Sequence, residues 1–180
     1  MEINEYRQLK AFAIQDGTLL GVLWISCFAC FIIQLNNPSM SIVWMALSIF
    51  SVGFAFIRVR KFGLKVREGN LTFGSAWMYS MTMFVCACLL MAIANYVYFA
   101  YIDKGFLVGK YLTIFDSDEA KLAMKAYSID KKLFEEAVQT MVEKTPIGWA
   151  LEILTSNMML GIILSPLVAL YAKQKNKLKK

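Results

Sequence analysis

A chain of 180 residues that is 58% hydrophobic and only 18% charged is too apolar for a soluble domain of this length, where charge is spread through every window. It contains no histidine, which excludes histidine-based acid–base chemistry, histidine triads and histidine-ligated metals. The net charge of +6 points to membrane topology and not to nucleic acid, because the basic residues flank long apolar runs.

In chain order, Ile3, Tyr6, Leu9 or Lys10, and Ala13 fall at helical spacing, with Glu2, Glu5 and Arg7 elsewhere. This predicts a short amphipathic helix over residues 1–15, lying in the membrane interface. The leading region is acidic and no small-x-small site follows, so no cleavage is expected. The first span is read over about 17–35. It opens with Gly17 and Gly21, a G-x-x-x-G pair that lets another helix approach closely. That helix could belong to a partner or to the same bundle; such pairs are common in spans, which favours the bundle. Asn36-Asn37-Pro38-Ser39 is an uncharged turn, and the second span follows over about 40–57.

Residues 58–70 carry Arg58, Arg60, Lys61, Lys65 and Arg67 against one acid, Glu68. The tail, 173–180, holds five lysines and no acid, whereas residues 103–146 hold seven lysines and eight acids. Short basic loops stay in the cytoplasm. Both termini and the 58–70 loop are therefore expected inside, and 103–146 outside. The same five basic residues are candidate contacts for anionic lipid headgroups or a partner.

The third span is read over about 71–102. Its core, Phe73 to Tyr101, is the longest apolar run and has no Lys, Arg, Asp or Glu. At 1.5 Å per residue it would extend roughly 40 Å, beyond a bilayer core of about 30 Å, so it tilts or protrudes. Residues 103–146 are too many for a structureless loop. Asp116-Ser117-Asp118-Glu119 reads as a helix start. Two apolar stripes follow: Leu122, Ala126 and Ile129, then Leu133, Ala137, Val138, Met141 and Val142. They predict an amphipathic helical hairpin or one bent helix, serving either as a cap that shapes a site or docks a partner, or as a solvated lid.

Thr145-Pro146 opens the fourth span, read over about 147–172. Glu152 is the only acid expected in the membrane interior. Ser156 lies four residues after it, and Asn157, Gly161 and Ser165 form a neighbouring small and polar stripe suited to helix packing. Pro166 should kink the helix or loosen its backbone bonding. Asn95 lies at a similar depth in the third span, so Asn95, Tyr98, Glu152 and Ser156 are the expected intramembrane polar cluster. Cys27, Cys30, Cys86 and Cys88 all lie within spans and read as small packing residues. Asp116-x-Asp118 reads as a helix cap and not a metal site. No nucleophile, phosphate loop or other catalytic constellation is visible, and no metal or cofactor is expected.

The run Tyr98-Phe99-Ala100-Tyr101-Ile102-Asp103-Lys104-Gly105-Phe106, the helical segment after it, Thr145-Pro146 before a last span with a basic tail, and Phe62-Gly63 together resemble the bacterial domain of unknown function 4199 family. The resemblance covers nearly the whole chain. It implies four spans in a Gram-negative inner membrane and brings no established activity or catalytic residues. Family members are encoded near membrane-associated glycosyltransferases, which implies a partner role.

The expectation is an all-α integral membrane four-helix bundle with an amphipathic extracytoplasmic segment. It is expected to be a non-enzymatic accessory subunit of a membrane enzyme, such as one handling polyprenyl-phosphate sugars. The alternative is a small oligomeric transporter or channel that uses Glu152 and Asn95. The expected partners are the bilayer, anionic headgroups and either a membrane protein or further copies of the chain.

Overall fold

The computed structural model describes the backbone of residues 3–126 and 131–177, with side chains for all of these except 119, 121, 123, 125, 131–133, 135 and 174–177. Its elements are α1 (Ile3–Gln34), α2 (Met40–Lys65), α3 (Phe73–Val97), a π-helical turn (Tyr98–Ile102), α4 (Phe106–Phe115), α5 (Asp118–Ala126), α6 (Lys131–Glu143) and α7 (Pro146–Lys177). No strand occurs among the described residues. Four helices, Ile3–Gln34, Met40–Lys65, Phe73–Ile102 and Pro146–Lys173, are long and apolar enough to cross a membrane. The chain divides into two compact units, one formed by Met1–Ala94 with Glu152–Lys180, the other by Asn95–Leu151.

The first unit holds the bundle. Two helices are longer here than hydropathy predicts. The separate interfacial helix expected over 1–15 does not exist, because α1 runs unbroken through Asp16 and Gly17. Leu9, Ala13 and Leu20 are each fully buried, so one face of α1 packs into the bundle on both sides of the expected break. Likewise α2 continues past Ile57 to Lys65, since Val59, Phe62 and Gly63 bury a stripe at helical spacing. Residues 58–65 are therefore helix and not loop.

Small residues set the distance between helices. Ala13, Ala55, Ala76, Ala87, Ala169 and Ala172 are all buried in one core with Leu20, Met83, Phe84 and Val168. On α1, a Cβ at Gly17 would lie 2.6 Å from the Met83 carbonyl oxygen and 2.7 Å from the Cys86 Cβ. At Gly21 it would lie 3.0 Å from Leu90. On α7, a Cβ at Gly161 would lie 3.0 Å from the Phe84 Cβ. Thus α1 and α7 both approach α3 through glycine, and van der Waals contact takes the place of the hydrophobic drive that lipid cannot supply.

Outward-facing positions are apolar: Leu19, Val22, Ile42, Ile49, Ile57, Ile93 and Ile163 are all exposed. In water so large an apolar surface would drive association; against acyl chains it is the natural outer face of a span. The turn between α1 and α2 is tied by the Asn37 side chain, whose oxygen accepts from the Ser39 hydroxyl at 2.6 Å.

Helix α7 continues through Pro166. Proline has no amide hydrogen for the carbonyl four residues back, which is Ile162. The Ser165 hydroxyl accepts from the Trp77 indole at 3.0 Å, and its one proton has two acceptors within reach, that carbonyl oxygen at 3.2 Å and the Met81 sulfur at 3.1 Å. The carbonyl left without an amide by Pro166 thus has a donor within reach in the residue beside it.

In the second unit, the Asp103 amide donates to the Tyr98 carbonyl at 2.9 Å, widening the last turn of the third span. A tight turn follows, with Lys104 at φ 46° and Gly105 at φ 84°, closed by the Phe106 amide on the Asp103 carbonyl at 2.8 Å. The Asp103 carboxylate accepts from the amides of Gly105 (3.0 Å) and Leu107 (3.1 Å), so it caps the start of α4. Ser117 caps α5 by accepting from the Ala120 amide at 3.2 Å. Phe115 of α4 meets Phe134 of α6 edge to face at 5.0 Å. Of the two apolar stripes read from the sequence, Leu122 and Val142 are exposed, Val138 and Met141 are half-buried, and Ile129 and the Leu133 side chain lie outside the described residues. So do the tail residues 178–180.

Candidate functional site

The most tightly organised polar group in the first unit is a site the sequence reading missed. Asp16, on α1, is 2% exposed. Its Oδ1 accepts from Arg58 of α2, from Nε at 2.7 Å and also from Nη2. Its Oδ2 accepts from the Tyr79 hydroxyl of α3. One carboxylate therefore ties three helices together, with both oxygens engaged in charge-assisted or hydroxyl bonds.

The local sequence makes this geometry. Leu9, Ala13, Asp16 and Leu20 follow one another at helical spacing, so Asp16 sits on the buried stripe of α1. Arg58 lies about 10 Å before the end of α2, and Tyr79 about 9 Å after the start of α3, at 1.5 Å per residue. The α2–α3 turn brings these two helix ends together, placing both side chains at one depth. The Tyr79 ring is fixed by Phe62, whose centroid is 4.6 Å away, and Phe62 also meets Phe12 at 5.7 Å. The Arg58 guanidinium lies 5.8 Å from the Phe54 ring.

A second tie closes the same end of the unit. Arg67 Nη1 donates to Glu5 Oε1 at 2.5 Å, and Nη2 donates to the Glu5 carbonyl at 2.9 Å. Its guanidinium also lies 5.8 Å from Phe62. Of the five basic residues read as lipid contacts, Arg58 and Arg67 thus bind acids of α1. Lys61 and Lys65 are exposed, and Arg60 is half-buried with its Nε enclosed.

The expectation that Glu152 is the only acid within the spans does not hold, because the unbroken α1 carries Asp16 inside its apolar stretch. Asn95, fully buried, and Tyr98, half-buried, sit one turn apart in the second unit. Glu152 and Ser156 sit one turn apart on α7 in the first unit, and both are exposed. Asn157 is half-buried on α7, and Gly161 is buried against α3.

The four cysteines are free thiols. Cys86 packs on α1, its sulfur 3.7 Å from the Ile14 carbonyl oxygen. Among the described residues, no group of three or more Cys, Asp or Glu is arranged to hold a metal. What the Asp16 cluster does chemically is compensate charge: a guanidinium and a phenol neutralise and saturate an acid in a low-dielectric interior.

A sequence signal for Asp16 existed. Extending the stripe Leu9–Ala13 by one turn reaches Asp16, and one turn more reaches Leu20. The charge of Asp16 and the glycine after it interrupt the apolar run there, although the helix continues through both.

Fold and site together define a helical multi-pass membrane protein whose first three spans are tied by an internal charge cluster. The chain belongs to the family described as Protein of unknown function (DUF4199), whose family model matches residues 15–174. Nothing matches among curated proteins or among solved structures.

Proposed function

We propose that this protein is a non-enzymatic accessory subunit that docks on a membrane enzyme through α7. The observation that carries this reading is the exposed polar edge of a span: Glu152, Thr155 and Ser156 lie on one face of α7, all exposed, followed one turn on by exposed Met159. Polar side chains on the outer face of a span are costly against lipid and favourable against another helix. The reading that the chain is not itself the enzyme is supported by Asp16, the most deeply buried acid of the bundle, whose two oxygens are already engaged.

The family resemblance supports an enzyme that handles polyprenyl-phosphate sugars as the partner. Lys61 and Lys65, exposed on the last turns of α2, suit anionic headgroups. The charge asymmetry of the loops supports residence in a bacterial inner membrane with both termini cytoplasmic. A second reading, a small oligomeric transporter or channel, is favoured by the intramembrane polar residues Asn95 and Glu152.

Affinity purification in mild detergent, with crosslinking from Ser156→Cys, separates the two. A stoichiometric enzyme crosslinked at position 156 is the expected result. A homo-oligomer and nothing else supports the second reading, and a lone monomer counts against both.

A further inference from the structure

We propose that α4 is an interfacial helix, lying in the headgroup-to-acyl boundary of the leaflet where the third span ends, and not in the aqueous layer with α5 and α6. The ten residues Phe106–Phe115 are too few to span a bilayer, and they carry a single charge, Lys110. Two of the three polar side chains in α4, Lys110 and Thr113, turn back onto the helix, and the ring of the third, Tyr111, stacks on Phe115 with centroids 6.1 Å apart. The Thr113 hydroxyl donates to the Gly109 carbonyl at 2.9 Å, and the Lys110 ammonium lies 5.7 Å from the Phe106 ring centroid.

The helix ends are closed in the same way. At the start, the Asp103 carboxylate takes the Gly105 and Leu107 amides, and the Asp103 carbonyl takes the Phe106 amide. At the end, the Asp116 amide donates to Leu112 and the Ser117 amide and hydroxyl donate to Ile114. A short apolar segment whose two ends are closed by bonded backbone groups is suited to an environment with little water.

The surface continues that of a membrane span. In the same unit, the end of the third span exposes Tyr96, Val97, Tyr101 and Ile102, and shortly after it α4 exposes Leu112 and Ile114. Tyrosines there suit the headgroup level. The tight turn at Lys104-Gly105 redirects the chain with the Gly105, Phe106 and Leu107 amides all bonded to Asp103, so α4 begins only four residues beyond Ile102. By contrast, α6 carries exposed Glu136, Gln139, Thr140 and Glu143 and belongs in water.

The test reconstitutes the full chain in phosphatidylcholine–phosphatidylglycerol vesicles. The native chain is photocrosslinked to a lipid bearing a diazirine near the top of its acyl chain, and adducts are mapped by mass spectrometry. Adducts are expected on 106–115 and absent from 136–143. In a cysteine-substituted background, nitroxide labels at Leu112→Cys and Ile114→Cys should favour oxygen over a water-soluble nickel chelate, and Thr140→Cys the reverse. No adducts on 106–115, or chelate access at positions 112 and 114 equal to that at 140, overturns the proposal, and would make α4 a water-facing surface open to a protein partner.

Discussion

Asp16 and Arg58 meet inside the bundle across 42 residues of sequence, and the carboxylate that Arg58 grips from one side is held from the other by Tyr79. Burying an acid and a base together is close to neutral when every lone pair is used, but removing one member strands the other. Asp16→Ala should therefore cost about 3–5 kcal/mol. The double variant Asp16→Leu with Arg58→Met should recover most of that loss. Unfolding of the purified protein in micelles measures both, and a double variant as unstable as Asp16→Ala would contradict the account. Glu5→Ala is the contrast: the Glu5 side chain is 42% exposed, and Arg67 keeps its bond to the Glu5 carbonyl, so the loss should be at most about 1 kcal/mol.

Tyr79→Phe tests the hydroxyl apart from the ring. The ring contact with Phe62 survives, while Asp16 Oδ2 loses its donor in a buried place. A loss of about 1–3 kcal/mol is expected. Tyr79→Ala also opens a cavity and should cost about 3–5 kcal/mol. If Phe is tolerated as well as Tyr by thermal melting, Asp16 is satisfied by Arg58 alone.

The glycines differ by what faces them. Gly17→Ala places its Cβ 2.6 Å from a backbone oxygen of α3, so the helices must separate, and the expected loss is about 1–3 kcal/mol. Gly21→Ala meets mainly the Leu90 side chain, which can move, and should cost less. Gly53→Ala meets nothing within 4 Å and should be neutral or stabilising by up to about 1 kcal/mol. Melting temperatures in the order Gly53→Ala, Gly21→Ala, Gly17→Ala, highest first, are the check.

Ser165 and Pro166 should be coupled. Ser165→Ala removes the donor to the Ile162 carbonyl and the acceptor for the Trp77 indole, at a cost of about 1–2 kcal/mol. Pro166→Ala restores a backbone amide to the same carbonyl. In that background Ser165→Ala should cost measurably less, since only the contacts with Trp77 and Met81 are then lost. Additive losses in a double-mutant cycle would show that Ser165 acts through Trp77 and Met81 and not through the Ile162 carbonyl.

The positions of α3 and α7 were legible to within a few residues, because hydropathy over a long window is a local property and both spans start and stop at abrupt changes in it. The Asn36–Ser39 turn and the cap at Ser117 were legible for a similar reason, since each is made by side chains bonding backbone a few residues away. The true lengths of α1 and α2 were not. A helix does not end where its hydropathy falls; it ends where packing and capping stop supporting it, and Leu9, Val59 and Phe62 are buried beyond the apolar windows.

By itself, then, the sequence determined an all-helical chain with four apolar helices and basic residues clustered after the second and fourth apolar runs, since length, periodicity and charge placement are written locally. Tertiary structure decided what the charges are for. Arg58 and Arg67 look like topogenic residues in the chain and are acid partners in the fold. Asp16 looks like the edge of a span and is the residue around which the first three helices close. The helical stripe through Leu9 and Ala13 marks Asp16 as inward-facing, but no local pattern names its partners, because an ionised side chain is tolerated in the interior only when residues 42 and 63 positions away arrive to compensate it.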